Sequence, residues 1–238
     1  MNLRRDGRRP LVIGHRGAAA LAPENTLASF AAAVDAGCDV VEFDVGAGLV
    51  VAHSASELPE EPIALDDALD FLRGRGVGAH VDVKVLGIEP QIVHALRRHG
   101  LADRAFVSSA IPRSVRRAAA LAPELPRALG YPRDRLGAAG LGWPRGVAAA
   151  GARALRAAMP LRVPLLLRAT GATALSLHRT IVSAPAVTAA HVRGAAVVAW
   201  TANDPETVVR LVEQGVDAIV SDDPRVVFET LATLGNRQ

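Results

Sequence analysis

Short apolar runs alternate with stretches of helical periodicity along almost the entire chain. Those that read as strands are Leu11–Gly14, Val40–Val45, His80–Val85, Ala105–Ser108, Arg127–Gly130, Ala174–Leu177, Ala196–Trp200 and Ala218–Ser221. Most are apolar throughout and rich in β-branched residues, the pattern of strands covered on both faces. Between them, Thr26–Ala36 sets Leu27, Phe30, Ala31 and Val34 on one helical face and stops at Gly37. Pro205–Gln214 begins behind an Asp204 N-cap, carries Pro at its first position and stops at Gly215. Helix is also expected over Asp66–Arg73 and within 143–173, where the pattern leaves the ends open. Eight strands separated by helices predict an α/β fold, a single TIM-type (β/α)8 barrel with a minimal insertion after the second strand. No linker rich in Gly, Ser or Pro divides the chain, so residues 11–238 are expected as one catalytic domain behind a flexible arm, 1–10.

Composition narrows the picture. Half of the 238 residues are hydrophobic but only 3% are aromatic, so the core must be assembled from small aliphatic contacts. Net charge is +3, from 27 basic and 24 acidic residues, too even a balance for a nucleic-acid partner. The run Arg4, Arg5, Arg8 and Arg9 falls in the expected arm. A single cysteine, Cys38, excludes an internal disulfide and reads as a buried, inert thiol. No apolar segment follows the N-terminal arginines and no uncharged apolar stretch is long enough to span a bilayer. The expectation is a soluble, cytoplasmic protein with no stable membrane insertion; the sequence leaves its oligomeric state open.

Barrel enzymes carry their chemistry at the C-terminal ends of strands. The first strand runs into His15-Arg16-Gly17; the second ends in Glu42-Phe43-Asp44, and a short strand at Leu49–Ala52 is expected to deliver His53. The third ends in Asp82-Val83-Lys84, and the last two end near Trp200 and Asp222. Glu42 and Asp44 share a strand face, as do Asp82 and Lys84, because side chains alternate. Ionised groups inside a dry barrel are costly unless paired or bound to metal, so three carboxylates with one lysine point to a hard divalent cation, Mg²⁺ or Ca²⁺. Asn25 and Glu24 read as a cap and a dipole partner for the following helix. His80, His94, His99, His178 and His191 read mostly as helix-surface or packing residues, with His178 a candidate for the pocket wall.

The order and spacing of these residues resemble the glycerophosphodiester phosphodiesterase family. The matching positions are His15-Arg16-Gly17, Pro23-Glu24-Asn25-Thr26 with Ser29 and Phe30, Gly37, Glu42-x-Asp44 and His53. Near the other end they are Trp200-Thr201-Ala202-Asn203 and Gly215 to Asp222 with Pro224. The resemblance implies hydrolysis of a small glycerophosphodiester to an alcohol and glycerol 3-phosphate, using a divalent cation. By position it implies Glu42, Asp44 and Asp82 as metal ligands, and His15 and His53 as the acid–base pair. His53 would act as acid and His15 as base. Arg16 and Lys84 would contact phosphate, and Trp200 would line the pocket. Departures from the family pattern are Ser54 after the second histidine, the short Gly46-Ala47-Gly48 link, and Asp82 where a Glu is usual. Alternatives on the same site are lysophospholipid cleavage, transfer to a cyclic phosphate, or phosphate binding without catalysis.

Overall fold

Eight parallel strands close on themselves in sequence order, each hydrogen-bonded to the next and β8 to β1. They are β1 (Leu11–Gly14), β2 (Val40–Val45), β3 (Gly78–Val83), β4 (Ala105–Ser109), β5 (Arg127–Tyr131), β6 (Ala174–His178), β7 (Ala196–Trp200) and β8 (Ala218–Ser221). Eight helices alternate with them: α1 (Leu27–Asp35), α2 (Leu65–Arg73), α3 (Glu89–Arg98), α4 (Pro112–Leu121), α5 (Arg145–Thr170), α6 (Ala184–His191), α7 (Pro205–Glu213) and α8 (Pro224–Gly235). This is the expected (β/α)8 barrel. The computed structural model describes residues 1–54, 61–133 and 145–235, and the side chains of α5 from Val147 onward.

Two apolar layers account for the hydrophobic half of the chain. The larger lies between strands and helices, where Val12, Val41, Phe43, Val81, Leu175 and Val197 meet Phe30, Leu69, Ile92, Met159 and Leu211. The smaller fills the barrel itself, from Ile13, Val40, Phe106, Ala128, Ala174, Ala196, Val198, Ala218 and Val220. Four inward alanines leave a wide floor. Leu3 closes it, only 5% exposed, with Met1 packed beside it. The N-terminal segment is further tied by the Arg5 amide donating to Asp217 Oδ1 at 3.1 Å, with Arg4 Nε 3.5 Å from the same oxygen. Residues expected as a flexible arm therefore pack as the barrel's plug, because alanine-lined walls cannot fill the floor alone.

Other differences are local. β3 starts two residues earlier than expected and ends at Val83, leaving Lys84 just past it. The strand expected at Leu49–Ala52 is instead a 3₁₀ turn at Ala47–Leu49 followed by isolated bridges, Val45 with Val51 and Val50 with Ala64. Gly48 and Leu49 both have positive φ there, which prevents a regular ladder. The α1 cap is Thr26, not Asn25: its hydroxyl accepts from the Ser29 amide, and the Ser29 side chain returns to the Thr26 amide.

Candidate active site

Strand register stacks the polar residues in layers. Asp44 on β2 stands opposite Asp82 on β3, which stands opposite Ser108 on β4. One layer below, Glu42 pairs with His80, and His80 with Phe106. Glu42, Asp44 and Asp82 thus offer carboxylate oxygens within 4.8 Å of one another.

The turn after β1 is shaped by glycine. A β-carbon on Gly17, whose φ is +88°, would lie 2.3 Å from Ser29 Oγ, so the chain can pass α1 this closely only with glycine. Arg16 beside it is itself left-handed, φ +48°. That conformation turns its amide onto Glu42 Oε2 at 2.7 Å and its guanidinium across the mouth. Arg16 Nη1 donates to Glu24 Oε1 at 2.6 Å, Nη2 lies 3.0 Å from His53 Nδ1, and Nε lies 3.1 Å from Asp44 Oδ2. Asn25, expected as a cap, is buried with φ +59° and clamps Asp44 at two points. Its Nδ2 donates to Asp44 Oδ2 and its Oδ1 accepts from the Asp44 amide, both at 3.2 Å.

Each histidine has a definite setting. His15 Nδ1 lies 2.6 Å from Asp222 Oδ1, and Asp222 is held in turn by Asn203 through its other oxygen and by the Asp222 amide on Asn203 Oδ1 at 2.9 Å. Burial opposes a charged His15, but the Asp222 hydrogen bond and the Glu42 carboxylate outweigh it and leave the imidazole above its ordinary pKa. His53 Nδ1 lies 3.2 Å from Asp44 Oδ2 as well as near Arg16. His80 is a wholly internal residue: Nε2 is 2.8 Å from Ser108 Oγ, which donates to Asp82 Oδ1 at 2.5 Å. Burial drives His80 down to about 3, so it is neutral and acts as a donor to the serine. His178 makes an edge contact with Trp200, centroids 5.0 Å apart, and both close strands that point toward the mouth.

The carboxylate cluster is short of positive charge. Lys84 Nζ lies 2.5 Å from Asp82 Oδ2 and 2.7 Å from Asp44 Oδ1. Burial opposes the charge on Lys84, yet Asp82, Asp44 and Glu42 together raise its pKa. Burial also opposes ionisation of Asp44 and Asp82, but the His53 hydrogen bond, Lys84 and Arg16 hold Asp44 low, and Lys84 holds Asp82 low. Glu42 is left over: burial and the Asp44 charge push it up to about 8. Asp44 Oδ1 is buried and accepts no well-directed hydrogen bond. Three carboxylates face one ammonium and one guanidinium that is shared with Glu24. An all-oxygen donor set, with a buried Asp44 oxygen held only by an unaligned ion pair to Lys84 and a missing positive charge, fits a hard divalent cation.

The structure therefore brings together His15, Arg16, Glu42, Asp44, His53, Asp82 and Lys84, with Trp200 on the rim. Asn25, Ser108, His80, Asp222 and Asn203 support them, roles that sequence reasoning did not assign. The alternation that puts 80, 82 and 222 inward was legible; which partner each would meet was not, because that depends on interstrand register.

A sequence profile of the glycerophosphoryl diester phosphodiesterase family matches residues 15–48 and 75–226. A glycerophosphodiester phosphodiesterase of Caldanaerobacter subterraneus subsp. tengcongensis is 25% identical, with 92% of this chain and 96% of that protein aligned. Among solved structures, an Oleispira antarctica phosphodiesterase in complex with the product sn-glycerol-3-phosphate superposes with a TM-score of 0.72 at 23% identity, covering 94% of this chain and 97% of that one. A glycerophosphodiester phosphodiesterase from Parabacteroides distasonis superposes with a TM-score of 0.71 at 19% identity, covering 95% and 97%.

Proposed function

The chain belongs to the glycerophosphoryl diester phosphodiesterase family and is a phosphoric diester hydrolase; from this we propose that it cleaves small glycerophosphodiesters to an alcohol and glycerol 3-phosphate. The observation that carries the reading is the convergence of three buried carboxylates, two cationic side chains and two histidines at one strand end of the barrel. Glu42, Asp44 and Asp82 would hold the divalent cation, Mg²⁺ or Ca²⁺. When bound, it supplies Lewis-acid polarisation of the phosphoryl oxygens and fills the charge deficit.

The protein's own groups divide the remaining work. Lys84 presents a point charge to the phosphate, and Arg16 a planar fork, once drawn from Glu24. Asp222 fixes His15 with its Nδ1 as donor, so that Nε2 is the acceptor when the ring is neutral and the donor when it is charged. His53 lies between a guanidinium, which only donates, and a carboxylate, which only accepts. A neutral ring satisfies the first through Nδ1 and a protonated ring the second. Each histidine can therefore hold or release a proton without losing its anchor, as an acid–base pair requires. Trp200 would pack its ring against the glycerol carbons.

The test is hydrolysis of a panel of glycerophosphodiesters, glycerophosphocholine and glycerophosphoethanolamine among them, with and without EDTA. At least one should be cleaved to glycerol 3-phosphate, activity should vanish in chelator, and Mg²⁺ or Ca²⁺ should restore it. Full activity in chelator, with metal analysis showing none bound, would overturn the cation assignment. Cleavage of lysophospholipids alone would overturn the substrate class.

A further inference from the structure

Carboxylates are unevenly distributed around the outer ring of helices. Helices α4, α5 and α6 stand next to each other in the outer ring, and none contains an Asp or Glu, whereas each of the other five helices contains at least one. Together α4 and α5 carry eight arginines. The longer stretch 135–203 likewise holds eight arginines and no carboxylate, so a chain of net charge +3 carries +8 in this stretch and −5 elsewhere.

The same side exposes an apolar stripe. On α5, Met159, Val163 and Leu167 face the barrel and are buried. The opposite face has Val147, Ala150, Ala154, Leu161 and Leu165, a spacing of three or four residues or a multiple of it, all turned to solvent. Leu161 is 78% exposed, Leu165 67% and Val147 49%. At 1.5 Å per residue this stripe runs about 27 Å along the helix. Exposed Arg153 and Arg162 flank it on opposite sides, and exposed Arg168 follows at its end. Across the neighbouring groove Arg116 of α4 is also exposed, bonded to the Ala169 carbonyl at 3.1 Å. The helix passes the functional rim: the Arg162 guanidinium lies 5.7 Å from the ring of Tyr131, the last residue of β5. Residues before Arg162 thus rise beside the strand ends that carry the site.

We propose that the outer face of α5 docks peripherally on an anionic lipid surface, with Leu161 and Leu165 in the headgroup boundary and the arginines on lipid phosphates. Leucine and valine at the centre of a band flanked by arginine are the two features such a surface rewards. A second copy of the chain fits less well. Packing α5 on α5 about a twofold axis would bring arginines opposite arginines, and neither neighbouring helix offers a carboxylate to neutralise them. Nucleic acid fits less well too, since the stripe lacks aromatic platforms. The docking is interfacial: among the described residues no helix is long and apolar enough to cross a membrane.

The proposal does not depend on the catalytic reading, and its test measures binding alone. The full-length protein is floated with vesicles of pure phosphatidylcholine and with vesicles carrying about one third phosphatidylglycerol. Binding is expected to the second only and to weaken at high salt. The double variant Leu161→Gln/Leu165→Gln removes exposed side chains without disturbing the core, and should lower partitioning about tenfold or more. Arg153→Gln/Arg168→Gln should lower it about fivefold per arginine. Both variants should hydrolyse a soluble substrate at the wild-type rate. No binding to either vesicle, or equal binding by wild type and the leucine double variant, would overturn the proposal. So would a wild-type dimer in sedimentation equilibrium that Leu161→Gln/Leu165→Gln converts to monomer, since a second copy would then cover the stripe.

Discussion

From β1 to β3, and again at β8, the strand ends gather carboxylates into a buried network, whereas the helices from α4 to α6 carry none. In the first sector every charge has a charged or amide partner: Asp44 alone is approached by Lys84, Arg16, His53 and Asn25. In the second, Arg117 of α4 reaches back to Glu89 of α3 at 3.3 Å, but other arginines settle on backbone carbonyls. Arg116 donates to Ala169, Arg193 to Ala189, and Arg179 to Thr201. The first arrangement fixes side chains to within a hydrogen bond and suits chemistry. The second leaves much of its positive charge without a carboxylate partner and suits attraction to an anion larger than the pocket. One barrel thus separates the group that reacts from the surface that gathers, and substitutions in each sector should fail in different measurements.

The largest effects should come from the two histidines. His15→Ala and His53→Ala are each expected to lower kcat by about two to four orders of magnitude, the usual scale for a general acid or base. His94→Ala, on the exposed side of α3, should stay near wild type. A nitrophenyl leaving group needs little protonation, so it should rescue whichever variant lacks the acid. Equal losses at His15, His53 and His94 would show that the strand-end sector is not where the reaction occurs.

Next in size is the metal requirement. Asp82→Asn keeps shape and removes one charge from the carboxylate cluster, so the Mg²⁺ or Ca²⁺ concentration for half-maximal activity should rise. The side chain is one methylene shorter than the glutamate usual in the family, a reach shorter by about 1.3–1.5 Å. Lys84 and Ser108, each 2.5 Å from an Asp82 oxygen, hold it in place, and His80 behind the serine keeps that donor aimed. Asp66→Asn, at the start of α2 on the outer surface, should leave the metal response unchanged. A wild-type titration for Asp82→Asn would place the third ligand elsewhere.

A subtler outcome is expected at Asp222. Its hydrogen bond helps raise the His15 pKa, so Asp222→Asn should lower that pKa and move the corresponding limb of the pH–rate profile toward acid. The loss in kcat should be smaller than for His15→Ala, since the ring remains. A limb that stays in place, or moves toward base, would mean that Asp222 does not tune His15.

How much of this was legible in the sequence differs by level. Four strands, β1, β2, β7 and β8, have the predicted limits to the residue, because each is a short apolar run that carries β-branched residues. The gathering of the three carboxylates was legible as well: alternation alone sends Glu42, Asp44 and Asp82 to one side. What alternation cannot show is who meets whom across strands. Asn25 looks like a cap in sequence and is a clamp on Asp44 in space; His80 looks like packing and supports Asp82 through Ser108. The plug formed by Met1 and Leu3 was missed because it depends on the size of the alanine-lined floor, a sum over four strands rather than a local pattern. The acid-free stretch lies open in the sequence, but only the fold shows that α4, α5 and α6 are neighbours and that Leu161 and Leu165 face outward.

The smallest effect tests how the carboxylate-rich sector holds its outer wall. His99, read from sequence as a helix-surface or packing residue, is 9% exposed at its side chain and bridges two aspartates of α2. Its Nε2 lies 2.9 Å from Asp66 Oδ1 and its Nδ1 3.0 Å from Asp70 Oδ1, while Arg98 also pairs with Asp66. Both aspartates are more than half exposed, so solvent screens the pairing, and His99→Ala should cost only about 0.5–1 kcal/mol in urea unfolding. Measured at a pH acidic enough to charge the ring, that cost should shrink as salt is added, because it is then an ion-pair contribution at the surface. Arg116→Gln, which removes a bond to a carbonyl on the α4–α6 side, should show less salt dependence, since a charge meets a dipole there. Neither substitution touches the strand ends, so kcat and the metal titration should match wild type for both. A His99→Ala variant with altered metal response would couple α2 and α3 to the cluster and break the separation between wall and site; identical salt profiles for the two variants would break the contrast between the sectors.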